Sequence, residues 1–136
     1  MGGEPLIVLD THALVWWLSG APELSSKARR AIQAAAAAEA VVASAISVFE
    51  IVTAVRCGRL QFTLPVEQWL AVARLLPELR FEAVSDEIAC LAGGLGDDMH
   101  GDHADRMIAA TALKLAAPLV TADEKLRTCP FIKTVW

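Results

Sequence analysis

Residues 6–9, Leu-Ile-Val-Leu, form an unbroken apolar run, and Asp10 and Thr11 end it abruptly. A short, partly β-branched run of this kind predicts a strand buried on both faces. Further runs at 41–43, 81–84 and 119–121 predict three more strands, and 132–136 a fifth. Between them the apolar period becomes helical. Leu14, Val15, Trp17 and Leu18 predict a helix over 12–18 that stops at Ser19-Gly20, with Pro22 beyond. The adjacent Trp16 and Trp17 cannot share a helix face, so one is expected in the core and the other partly exposed. Helices are also expected over 24–38, over 48–57 with Ser47 as its cap and Gly58 as its stop, over 65–76 starting at Pro65, and from Ser85 into Gly93-Gly94. The loop 93–101, carrying Asp97, Asp98, Met99 and His100, leads to a helix whose face is Met107, Ile108, Ala112 and Leu115. A short helix should follow Asp123. Alternation of buried strands with helices predicts an α/β fold with a central, mainly parallel sheet of four to five strands covered on both faces. No repeat or linker interrupts it, so residues 1–136 are expected to form a single domain.

Ligands of such sheets bind beyond the carboxyl ends of the strands, and Asp10 and Asp123 both fall there. Asp102 and Asp105 stand in the first turn of a helix, and Glu50 lies inside another. Each acid has an ordinary explanation as well. Asp10, Asp102 and Asp123 can cap the helices that follow them, and a helix dipole stabilises Asp105 in its first turn. Glu50 is not a cap. On a helical wheel Val48, Ile51, Val52 and Val55 share one face, while Glu50 falls opposite among Ser47, Thr53, Ala54 and Cys57, which reads as a solvated position with small neighbours. If the acids converge, their repulsion requires a cation. Hard oxygen donors without a His/Cys cluster select Mg²⁺ or Mn²⁺ over zinc. His12, His100 and His103 have no ligand-pair spacing and are expected at the surface or behind the ligands.

Charge and cysteines narrow the function classes. Twelve Lys and Arg against 16 Asp and Glu give a net charge of −4, which argues against a duplex-coating protein and is compatible with a cation-loaded acidic site. Cys57, Cys90 and Cys129 are odd in number and in no CxxC pattern, so they are expected as small buried or half-buried side chains. The N-terminus carries no basic region before its short apolar run, and the alanine-rich stretch 34–46 is too short to span a bilayer. A soluble, cytoplasmic protein with no membrane association is expected.

Four segments together, LDTHALVWWL at 9–18, ISVFEIVTAVRCGRL at 46–60, GDHADRMIAATAL at 101–113 and VTADEKL at 120–126, resemble the PIN-domain family and, within it, the VapC-type ribonuclease toxins. The resemblance covers essentially the whole chain and implies a PIN-like three-layer α/β/α fold. It implies a metal-binding quartet of Asp10, Glu50, Asp105 and Asp123, with Thr11, Ser47 and Thr121 orienting acids or waters and Asp102 in an outer or capping role. It further implies a Mg²⁺- or Mn²⁺-dependent endoribonuclease leaving 5′-phosphate and 3′-hydroxyl ends, a homodimer, and a cognate antitoxin as partner. His103-Ala104 departs from the proline and aromatic more usual there, which bears on substrate fit. Lys27, Arg29, Arg30, Arg56, Arg59 and Arg106 are the cations available to RNA. Trp16, Phe62 and Trp69 are candidate partner contacts. A PIN-type nuclease for RNA processing or DNA cleavage, and a catalytically silent PIN-like binding module, are the alternatives.

Overall fold

The computed structural model describes residues 6–97, 99 and 101–136. Strand β1 (Ile7–Leu9) is the centre of a five-stranded sheet of order β3-β2-β1-β4-β5, whose other strands are β2 (Val41–Ser44), β3 (Leu79–Glu82), β4 (Leu119–Val120) and β5 (Thr134–Val135). All four ladders are parallel, with Val8 opposite Val42 on one side and Leu119 on the other. The side-chain period of two divides each central strand between two cores. Ile7, Leu9, Val41, Ala43 and Val120 pack on one face with Leu14 of helix α1 (Thr11–Ser19), Ile32 of α2 (Ser26–Ala37), Ile51 of α3 (Ala45–Arg56) and Ala73 of α4 (Val66–Leu75). Val8, Val42 and Leu119 pack on the other with Ile108, Ala109 and Ala112 of α6 (His103–Leu115) and Leu126 of α7 (Glu124–Arg127). Helix α5 (Asp86–Gly94) lies on α6 through Ile88, Ala92 and Ala110. The result is the expected three-layer α/β/α arrangement. None of the described helices is long and apolar enough to cross a membrane.

Several boundaries differ from the sequence reading. Strand β3 begins two residues earlier than expected, because Leu79 is the buried residue that pairs with Val41. Helix α3 is capped by Ser44, which accepts from Ile46 N, so Ser47 lies inside the helix and is fully buried there. Both Trp16 and Trp17 are half-buried against the first core, where one core and one exposed ring were expected. Phe62 and Trp69 stack on each other at 4.4 Å between ring centres and also pack against that core. They are therefore not the free apolar surface. That surface is Phe49, Val52, Leu64, Val72, Leu75 and Phe131. Cys57 and Cys90 are exposed and only Cys129 is buried. His100 and Asp98 fall outside the described residues.

Candidate active site

The sheet reverses direction of growth at β1. From it the chain runs outward through β2 and β3, then returns to the other edge as β4 and β5, and a crevice opens beyond the strand ends where the two halves part. Asp10 follows β1 directly. It caps α1 by accepting from Ala13 N at 2.8 Å. Its second oxygen accepts from the Thr121 hydroxyl, which follows β4 and is fully buried. That hydroxyl also accepts from Asp123 N at 3.0 Å, so one threonine joins the two acids at adjacent strand ends. Asp123 in turn caps α7 through Lys125 N. Asp102 caps α6 through Asp105 N at 3.0 Å, as expected.

Glu50 departs from the wheel. It is half-buried and accepts from the Thr11 hydroxyl. Thr11 also contacts the Ser47 hydroxyl at 2.9 Å. Having one hydrogen to give, Thr11 spends it on Glu50, so Ser47 must donate to Thr11. Ser47 and Ile51 are the buried positions of α3, whereas Val52 is exposed. The apolar stripe marked only part of the inward face, because Thr11 of α1 also holds the side of α3 that carries Ser47 and Glu50.

Asp10 after β1, Glu50 of α3, Asp102 and Asp105 at the start of α6, and Asp123 after β4 thus line a single cleft of about 570 Å³. Thr11, His12, Phe49, Thr53, Ala54, Arg59, His103 and Ala104 complete its wall. Burial is the main force raising the Asp10 carboxyl above its ordinary range, partly opposed by its hydrogen bonds to Thr121 and Ala13. Asp105 is pushed up to about 7, first by burial and then by the charges of Asp102, Asp123, Glu50 and Asp10. Without a cation the cleft would hold more negative charge than it can comfortably keep. Among the described residues no three acidic, His or Cys side chains stand together as a finished metal cage. Asp10, Asp102 and Asp123 are each held by the helix start they cap, and Glu50 by the Thr11 hydroxyl. Their donors are nonetheless all carboxylate oxygens, the set a hard divalent cation prefers.

Thr121→Val tests the hydroxyl bridge. It should cost about 1–3 kcal/mol, since the Asp123 N–H loses its acceptor and Asp10 loses a donor. Denaturant unfolding measures the cost, and the Asp10 carboxyl should rise further, because the Thr121 bond is the largest of the interactions that lower it.

Of the cations available to RNA, only Arg59 lines the cleft. Arg29 is spent on the Ala21 and Leu24 carbonyls, and Arg106 on those of Ala92, Met99 and Leu95. Phe49 was not anticipated at the site. Its position one residue before Glu50 was the available signal.

A family model described as the PIN domain matches residues 7–132, and the chain belongs to the PIN-domain family. Within it the likeness is to the VapC proteins. The chain is 35% identical over 132 residues to Ribonuclease VapC22 of Mycobacterium tuberculosis, covering 96% of this chain and 98% of the relative. Among solved structures, a toxin–antitoxin complex from Klebsiella pneumoniae is similar with a TM-score of 0.60 at 24% identity, over 93% of this chain and 94% of that one. DNA-bound VapBC from Salmonella typhimurium is similar with a TM-score of 0.69 at 17% identity, over 95% and 96%. At those identities the likeness speaks for the fold.

Proposed function

We propose that the protein is the ribonuclease toxin of a VapBC-type toxin–antitoxin pair, a single-domain cytoplasmic endoribonuclease that hydrolyses RNA phosphodiester bonds with Mg²⁺ or Mn²⁺. The observation that carries this is the convergence of Asp10, Glu50, Asp105 and Asp123 on one cleft. Family membership and the similarity to a protein named a ribonuclease support the substrate class. The toxin–antitoxin complexes among the structural relatives support an antitoxin partner, and the family resemblance of the sequence supports a homodimer.

In this reading the four acids hold the cation directly or through water, while Thr121, Thr11 and Ser47 fix the directions of Asp10 and Glu50. Asp102 holds the first turn of α6, and so Asp105, in place. When bound, the cation supplies an acidified water for in-line attack and neutralises charge growing on the phosphate oxygens. The protein residues need form no covalent bond to the substrate.

RNA cleavage by the purified protein should require Mg²⁺ or Mn²⁺, stop on chelation and resume on re-addition. Losing even an outer-sphere partner costs about 10–100-fold at metal sites, so Asp10→Asn should cost at least that much. Undiminished cleavage by folded Asp10→Asn would remove the assignment. Expression should arrest growth, and co-expression of the cognate antitoxin should relieve the arrest.

A further inference from the structure

The cleft has a lip that the acids do not explain. Phe49 lines it beside Glu50 and is 66% exposed. Arg59 lines the same cleft, the sole Lys or Arg among the described lining residues. Its placement is built into the end of α3. Gly58 takes φ +76, a conformation L side chains resist, and the chain folds back so that Arg59 N and Leu60 N both donate to the Ala54 carbonyl, at 2.8 and 3.2 Å. Thr53 and Ala54, both small, line the wall next to it. Among the described residues no acid forms an ion pair with Arg59, although five acids line the same cleft.

We propose that Phe49 and Arg59 form a subsite for one nucleotide of single-stranded RNA beside the bond to be cut: the Phe49 ring stacks on the base, and the Arg59 guanidinium binds an adjoining phosphate. The inference rests on the ribonuclease reading above. An exposed ring and an open guanidinium lining one cleft are the pair that single-stranded nucleic acid needs, a π-face for any base and a cation for the backbone. The need is acute here, because the net charge and the five lining acids repel phosphate, and Arg59 is the one Lys or Arg among the described lining residues. An apolar protein segment seated on Phe49 would instead desolvate Arg59 and the acids without pairing them all. Substrate preference then depends on stacking more than on hydrogen-bond readout, so the subsite tolerates many bases.

The test uses a fluorescein-labelled pool of random ten-nucleotide single-stranded RNA, bound with Mg²⁺ in an Asp10→Asn background so that it stays uncut. Phe49→Ala should weaken binding about tenfold and Phe49→Trp should restore it. Arg59→Ala should weaken binding and flatten the slope of log affinity against log salt by about 0.7. In the cleaving protein both alanine variants should raise KM and leave kcat nearly unchanged. RNA affinity and salt slope unchanged in both variants would overturn the proposal. So would a Phe49→Ala protein that binds RNA normally but has lost affinity for the antitoxin, since that outcome makes the ring a protein contact. If the unmodified protein cuts no RNA, the nuclease reading and the subsite fall together. If it cuts RNA with the same KM in all variants, only the subsite falls. Phe49 lies outside the core, so its replacement leaves the fold intact.

Discussion

Asp105→Asn is expected to abolish metal-dependent RNA cleavage and at the same time raise the melting temperature of the metal-free protein. The two effects have one origin. Asp105 faces Asp102, Asp123, Glu50 and Asp10 in a partly desolvated cleft, and its carboxyl is pushed up to about 7. An acid whose pKa is higher folded than unfolded holds an extra proton in the folded state between the two values. Folding stability therefore falls as pH rises from about 4, where the unfolded group titrates, to about 7, and levels off above that. Asp10, also raised, adds in the same direction. Asparagine removes the Asp105 share. Solvent at this half-buried side chain reduces the gain to about 1 kcal/mol, or ~4 °C. Melting curves in chelator across pH 4–8 should show a shallower decline for Asp105→Asn than for the unmodified protein. Adding Mg²⁺ at pH 8 should then stabilise the unmodified protein and leave the variant unmoved, as binding to the folded state alone requires. An identical decline in both proteins would show that Asp105 does not carry the strain.

Arg106→Ala is expected to destabilise the protein by about 2–4 kcal/mol without requiring any RNA to reveal it. The guanidinium donates to the carbonyls of Ala92 at 3.1 Å, of Met99 at 3.1 Å, and of Leu95. It thereby closes the carboxyl end of α5, where unpaired carbonyls and the helix dipole both favour a cation. It also ties α5 and Met99, which is buried in the second core, to the helix that carries Asp105. Hydrogen bonds from a charged group are worth about 1.5–3 kcal/mol each when lost from a buried setting, though not additively. Lysine has one ammonium for a fork of carbonyls and should rescue little. Urea unfolding measures the loss. A stability change under about 0.5 kcal/mol would show that the three bonds contribute nothing net.

Arg106 also shows where sequence reasoning ends. In the sequence it was one of six equivalent cations, and nothing in its neighbours says that it points back at α5. Asp10, Asp102 and Asp123 were legible because strand ends and helix starts are local signals, and each does cap the helix that follows. The sheet was legible for the same reason, since unbroken apolar runs mark strands with two covered faces. Glu50 was not legible from periodicity. Helix α3 buries Ile51 of its apolar stripe together with Ser47, so the stripe marked only part of the inward face, and the resemblance to a family supplied what the wheel withheld. Phe49 and Arg59 were invisible as a pair because the turn at Gly58 that sets Arg59 against the wall is a backbone event. The metal role assigned to the four acids rests on resemblance and on their shared cleft.

The hydroxyl bond from Thr121 to Asp10 joins residues 111 apart in the chain. Its counterpart in the sheet is the pairing of Val8 with Leu119. Neither can exist until residues 119–121 have left the ribosome, and pairings of such long range are slow to close. A growing chain thus has Asp10 and Glu50 early but no Asp123 to complete the set and no Thr121 to hold Asp10. For a protein read as a destroyer of RNA, being synthesised on an RNA machine, this arrangement withholds the full acid set until β4 and Asp123 have emerged. Truncated products that end before β4 should be inert.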